Sequence, residues 1–361
     1  MSEPVTLNDA LQQPPFGLQN DRKDKYLLNE LNRLTEHHYG ACFEYSELLQ
    51  KLGHALPPYS RLEDVPFLPV RLFKHFSLMS VPREEVIKTV TSSGTSGQSV
   101  SQIYLDKETS SRQVKVLSKI MGDFIGPKRL PMLVIDSRST IHDRYRFSAR
   151  TAGILGFSMF GRNVEFALQD DMSIDVERVE QFLSLHANED ILLFGFTFIV
   201  WKHLVLELER LNRRFNLDRG ILIHGGGWKQ LLSESVSNEE FKDRLYQSTG
   251  ISSVHNYYGM AEQTGSIFMG CEFGHLHASS FSEIIIRDPV DFRSLPAHQR
   301  GLIQLLSVLP HSYPGHSLLS EDIGECVGVD DCRCGRLGRY FKVHGRIKDA
   351  EVRGCSDTYS R

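Results

Sequence analysis

Long apolar runs are missing from this 361-residue chain. The longest, such as residues 191–201, fall well short of the roughly 20 residues that a membrane-spanning helix requires, so no membrane span is expected. A basic excess is missing too. The formal net charge is −4 and Lys and Arg are interspersed with Asp and Glu, which excludes the electrostatic footprint of a nucleic-acid binder. The opening MSEPVTLNDA has no signal-peptide pattern, and a cytoplasmic location is the expectation. Cysteine is scarce: six residues in so long a chain cannot make a disulfide scaffold. Five of the six fall after residue 270, a clustering that points to metal or thiol chemistry, with a chance group of buried thiols as the alternative. No repeat period or low-complexity tract is present.

What remains is an ordinary globular composition, 40% hydrophobic and 24% charged. Single cores stop growing at roughly 250 to 300 residues, so one large domain with a small appendage fits the length. Leu27, Leu31 and Leu34 recur at helical spacing in a charged background and predict an early amphipathic helix. Between Pro57 and Pro82, prolines and short apolar stretches read as an irregular connector. The expected division is therefore 1–82 as helical segment and connector, 83–345 as the catalytic core, and 346–361 as hinge and tail. Within the core, strand-like runs at 132–135, 191–194, 221–223, 283–286 and 302–306 alternate with helical patterns, which predicts an α/β architecture with sheets covered by helices. Trp201, Leu204, Val205 and Leu208 share one helical face and read as core. The apolar 192–200 segment reads as an acyl-pocket lining or, equally, as core.

Three segments carry chemistry. Ser92, Ser93, Gly94, Thr95, Ser96 and Gly97 pack hydroxyls and glycines into a loop after the β-branched Thr89-Val90. Glycines let backbone N–H groups turn toward a phosphate and the hydroxyls add neutral donors, although a plain surface loop has the same composition. No Gly-Lys-Ser/Thr ending follows, so it is not a P-loop. Gly225, Gly226 and Gly227 directly follow a strand-like run, where open α/β sheets bind ligands and bare backbone lets a flat ring approach. Tyr258, Gly259 and Glu262 come next, the carboxylate suited to a hard cation such as Mg²⁺ between phosphate oxygens. Each segment alone is also compatible with a simple turn.

In this order the segments resemble the core motifs of the adenylate-forming superfamily, and the resemblance continues through Ser320-Glu321-Asp322-Ile323-Gly324 and Gly345-Arg346-Ile347-Lys348-Asp349. It implies that the Ser/Thr/Gly loop handles the phosphates of ATP, that the glycine segment faces adenine, and that Tyr258, Gly259 and Glu262 contact adenylate and Mg²⁺. Asp322 falls where the family's aspartate holds the ribose hydroxyls, and Arg346 and Lys348 fall in its hinge motif. Ala261 departs from the threonine common in the superfamily, so the usual hydroxyl contact to the adenylate phosphate is absent or replaced. The superfamily's C-terminal domain is reduced here to a short tail after Asp349, which argues against an ordinary acyl-CoA ligase.

The nearest subgroup is the acyl-protein synthetases of bacterial bioluminescence and their relatives. Pro66 through Lys74 (PFLPVRLFK), the HGGGWK run ending at Lys229, YGMAEQ ending at Gln263, and Arg353-Gly354-Cys355-Ser356-Asp357 all resemble it. The resemblance implies ATP- and Mg²⁺-dependent conversion of a fatty acid to acyl-AMP, transfer to a cysteine thiol near the C-terminus, Cys355 here, and delivery to an acyl reductase. From its own sequence context, Cys355 lies on a polar, glycine-containing arm that could reach the adenylate pocket. An incidental exposed thiol is the plain alternative. The rival readings are a CoA ligase resembling phenylacetate-CoA ligase and a non-catalytic nucleotide-binding or scaffold protein; oligomeric state is not legible.

A structural Zn²⁺ site is a further expectation. Cys332 and Cys334 form a tight thiolate pair before Gly335, and Cys271 with His275, or with His277 as the alternative, supplies the remaining soft and borderline ligands. Buried free cysteines are the alternative.

Overall fold

The structure is a computed structural model and describes residues 5–92, 100–142, 149–228 and 235–347. The chain forms two compact units interleaved in sequence. The first comprises Met1–Asp123, Gly259–Met269 and His275–Glu351, and the second Phe124–Tyr258, Gly270–Gly274 and Val352–Arg361.

The second unit is an all-parallel sheet. Gly161–Leu168 lies at one edge, followed by Leu130–Ser137, Ile191–Phe196, Gly220–Gly225 and Ser253–Tyr258. In chain order this is 2-1-3-4-5, a doubly wound arrangement in which ligands bind beyond the carboxyl ends of the strands. Helices such as Ala149–Ser158, Val176–Leu185 and Asn238–Thr249 fall between the strands in sequence. Central strands buried on both faces need continuous apolar runs, and ILLFGF at 191–196 is buried throughout. The strand Gly161–Leu168 escaped sequence reading because it is an edge: Arg162 and Glu165 interrupt the run, and an edge tolerates them. After Phe196 the chain turns straight into a helix, with a π-helical turn at Trp201–Val205, and Trp201, Leu204, Val205 and Leu208 are all core. The 192–200 segment is likewise fully buried.

The first unit is built on antiparallel pairs. Ser282–Arg287, Gly301–Ser307, Ser317–Val329 and Arg339–Arg346 succeed one another, and Leu276–His277 pairs with the last. The helix Asn20–Ala41 buries Leu27, Leu31 and Leu34, as their spacing predicts. Its polar side is pinned as well. Lys23 Nζ lies 3.1 Å from Glu283 and donates to the Ala278 carbonyl at 3.0 Å, while Arg339 bridges Glu283 and Asp24 at 2.9 Å each. Lys23 and Glu283 are both fully buried, so each charge needs the other: removing one partner from such a pair typically costs about 3–5 kcal/mol. The Pro57–Pro82 connector is irregular, with short 3₁₀ turns and a two-residue strand, Leu68–Pro69, that pairs in parallel with Leu318 and Leu319. Its Leu68 and Phe73 join Tyr45, Ile103, Leu105, Tyr313 and Leu318 in one hydrophobic cluster.

Candidate active site

In the second unit, Gly225 ends a central strand and a Cβ there would lie 2.3 Å from the Tyr257 ring. No side chain fits there, and the ring that comes close is the chain's own Tyr257. Gly226 has φ +77°, a left-handed conformation that favours glycine, with the Phe196 ring about it. The preceding His224 is buried, with Nδ1 2.9 Å from the Thr197 hydroxyl, which itself donates to the Gly225 carbonyl at 3.1 Å. Both bonds form together when His224 carries its proton on Nδ1 and donates it to the hydroxyl oxygen, leaving the hydroxyl proton for the Gly225 carbonyl. Burial, helped by the Lys242 charge, pushes the His224 pKa down to about 3, so the ring is neutral. Trp228 packs edge-on to Trp201 at 5.8 Å. Tyr258, half-buried, is the last residue of its strand.

In the first unit, the Ser/Thr/Gly segment lies in sequence between Lys88–Thr91 and Gln102–Leu105, which pair antiparallel. Ser92 closes its base: its N–H donates to the Ser101 carbonyl at 3.1 Å and its hydroxyl accepts the Ser101 N–H at 3.0 Å. Ser93, Gly94, Thr95, Ser96 and Gly97 lie outside the described residues. Glu262 sits in the 3₁₀ turn Ala261–Gln263 and is only 4% exposed. Its carbonyl accepts the Tyr313 hydroxyl at 3.0 Å. At Ala261, the superfamily's threonine position, no hydroxyl is present; the next one in the turn, on Thr264, donates back to the Ala261 carbonyl at 2.9 Å. Asp322 and Arg346 occupy paired positions on adjacent strands, and Arg346 Nε donates to the Asp322 carboxylate at 3.2 Å. Two residues some twenty positions apart are thus brought together by strand register. Lys348 and Cys355 lie outside the described residues.

The same unit holds the candidate metal centre. The side chains of His277, Cys332 and Cys334 gather with their ligand atoms within 4.8 Å of one another. His277 Nε2 is 3.3 Å from Cys334 Sγ, and its Nδ1 is buried without a hydrogen-bond partner. Two thiols and an imidazole nitrogen facing them suit a borderline-soft tetrahedral cation, so this donor set fits Zn²⁺. His275, half-buried ahead of the strand, has Nδ1 3.5 Å from Cys332 Sγ, and it is His277, the alternative from sequence, whose ligand atom lies within 4.8 Å of the others. Cys271 is buried and closes a tight turn in which the Gly274 N–H donates to its carbonyl at 2.9 Å.

Sequence reading missed Tyr313 and the four histidines His37, His38, His311 and His316. His37 stacks on His311 at 4.1 Å and His38 on His316 at 4.8 Å. The signal available was the density of Pro, His and Gly in 310–316 (PHSYPGH), which marks a loop made for side-chain hydrogen bonds.

The fold is that of the adenylate-forming ligases. An open conformation of 2-hydroxyisobutyryl-CoA ligase, solved with 2-HIB-AMP and CoA, superposes with a TM-score of 0.71 at 19% identity, covering 92% of this chain and 76% of that one. Within that class, the chain belongs to the acyl-protein synthetase family, LuxE, whose match runs over residues 5–361. Similar relatives are the long-chain-fatty-acid–luciferin-component ligases of Vibrio harveyi, 23% identical over 90% of this chain and 85% of that one, and of Aliivibrio fischeri, 26% identical over 80% and 75%. The protein is accordingly a ligase of the adenylate-forming kind. Among the described residues no helix is long and apolar enough to cross a membrane.

Proposed function

We propose that this enzyme activates a long-chain fatty acid with ATP and carries the acyl group as a thioester on Cys355 for delivery to an acyl reductase protein in the cytoplasm. A fatty carboxylate oxygen attacks the α-phosphorus of ATP, the bond from that phosphorus to the bridging oxygen breaks, and pyrophosphate leaves. The Cys355 thiolate then attacks the acyl carbonyl, the bond to the AMP oxygen breaks, and AMP leaves with a thioester formed. The observation that carries this reading is the family match across residues 5–361, a span that includes the Cys355 arm.

The chain's own residues take these roles in the proposal. Ser92 holds the base of the phosphate loop, and the hydroxyls and N–H groups of Ser93 through Gly97 meet the phosphates. Bare backbone at Gly225, Gly226 and Gly227 faces adenine, with Tyr258 and Gly259 beside the adenylate. Asp322 receives the ribose hydroxyls, while Arg346 and Lys348 act at the hinge. Glu262 would supply a hard carboxylate of the kind that suits Mg²⁺. When bound, Mg²⁺ neutralises phosphate charge as pyrophosphate departs. Cys332, Cys334 and His277, with Cys271 six residues earlier in the chain as fourth ligand, are proposed to hold a structural Zn²⁺.

The test is exchange of radiolabelled pyrophosphate into ATP with free fatty acids of graded length. Exchange should be greatest with long chains and should need no CoA. Failure of every carboxylate to drive exchange would leave the chain a nucleotide-binding scaffold, and rapid acyl-CoA release on adding CoA would make it a CoA ligase.

A further inference from the structure

The turn that carries Glu262 is clamped from within the first unit. The Tyr313 hydroxyl donates to the Glu262 carbonyl at 3.0 Å. On the neighbouring residue, the Gln263 side-chain amide donates to the Gly315 carbonyl at 2.8 Å and to the Leu305 carbonyl at 3.0 Å. The bonds to Tyr313 and Gly315 reach one loop, 310–316, while the bond to Leu305 reaches the strand Gly301–Ser307. Gly315 makes the approach possible, since a Cβ there would stand 2.3 Å from the Tyr313 ring and 2.9 Å from the Glu262 carbonyl oxygen. Tyr313 is itself fully buried, edge-on to Phe73 at 6.1 Å, with Gln113 Nε2 3.5 Å from its hydroxyl. Burial pushes its pKa well above the ordinary phenol value, so the hydroxyl stays a donor.

The loop is anchored in turn. His37 Nε2 meets the His311 carbonyl at 3.0 Å and His38 Nε2 the Pro310 carbonyl at 3.2 Å. The Ser312 hydroxyl donates to the Tyr104 carbonyl at 2.7 Å, and the Ser80 N–H to the Ser312 carbonyl at 2.8 Å. A carboxylate that meets a metal through one oxygen gains from being held in place before the metal arrives, because the cost of ordering it has been met in folding.

We infer that Tyr313 is a positioning residue for Glu262: by fixing the main chain of the 261–263 turn to the 310–316 loop, it sets how tightly the enzyme holds the divalent cation with ATP. This rests on the proposed role of Glu262. Tyr313 touches neither substrate nor metal in this account, and no other step depends on it.

The experiment uses the full chain. Binding of Mn²⁺, a spectroscopically visible substitute for Mg²⁺, is followed by electron paramagnetic resonance with a non-hydrolysable ATP analogue, beside the Mg²⁺ dependence of pyrophosphate exchange. Losing one net hydrogen bond is worth about a 3- to 10-fold change in an equilibrium, so Tyr313→Phe should raise both the Mn²⁺ dissociation constant and the half-saturating Mg²⁺ by about that factor. Affinity for the ATP analogue without metal should stay as in the wild type. A merely structural role would lower the amount of active protein at every metal concentration and leave the half-saturation unchanged, and that result would overturn the inference. Should Tyr313→Phe not fold, Gln113→Met decides, since it removes only the donor facing the phenol oxygen: a smaller shift in the same direction supports the inference, and no shift overturns it. Glu262→Gln separates the two levels of argument. If that variant binds Mn²⁺ as the wild type does, the metal role of Glu262 falls and the inference with it; if it loses Mn²⁺ while Tyr313→Phe retains it, only the inference falls.

Discussion

The Arg346 guanidinium donates to the Asp322 carboxylate across paired positions of two antiparallel strands. Two motifs far apart in the chain thereby meet at one point of the first unit, with the proposed hinge arginine beside the proposed ribose aspartate. Partly exposed ion pairs contribute about 0–1 kcal/mol, so stability does not explain the arrangement. Asp322→Asn should therefore unfold at nearly the wild-type temperature while the KM for ATP in pyrophosphate exchange rises about 10-fold or more, the loss expected for hydrogen bonds to a charged acceptor. An unchanged KM would remove Asp322 from the nucleotide site.

Glu262→Gln keeps the shape of the buried turn and removes the charge that a hard cation needs. Pyrophosphate exchange should fall by about 100-fold or more, with the thermal midpoint within a few degrees. Near-normal exchange would return Glu262 to a structural turn residue.

Cys355→Ser tests the acyl carrier. Incubated with ATP, Mg²⁺ and radiolabelled fatty acid, the variant should still form acyl-AMP but carry no hydroxylamine-sensitive label, because a serine hydroxyl does not form the thioester that hydroxylamine cleaves. Thioester label persisting on the variant would place the acceptor on another thiol.

The metal proposal predicts about one zinc per chain after purification without added metal. Cys334→Ser, which removes a thiolate facing His277, should lose that zinc and lower the thermal midpoint by about 5 °C or more. Metal-free protein with normal activity in chelator would leave the cluster as free thiols.

Acid should weaken the fold through its buried imidazoles. Burial holds His38 well below its ordinary pKa, and the nearby His37 and His316 rings oppose its charging further. Burial brings His316 and His224 down to about 3. Unfolded, each takes up a proton near pH 6.5, so stability is complete above that pH and is lost as pH falls toward the folded values. Three such groups cost roughly 4 kcal/mol at pH 5.5, which should appear as a lower urea midpoint than at pH 7.5. Equal midpoints would mean that these rings are already charged in the folded protein.

The sequence by itself determined the α/β class, the central strands and the amphipathic helix at Leu27, Leu31 and Leu34. These depend on local rules: an apolar run buried on both sides and a 3.6-residue period. Tertiary structure decided what local rules do not reach. Gly161–Leu168 is a strand because it is an edge, and Ser317–Val329 because pairing on both sides satisfies a run broken by polar residues. His277 gathers with both Cys332 and Cys334 whereas His275 meets Cys332 alone, an arrangement set by the pairing of the short strand Leu276–His277 with Arg339–Arg346. Tyr313 carries no motif at all. Its place under Glu262 comes from a loop some fifty residues away folding back onto the turn, a contact between distant segments that no periodicity in either one encodes.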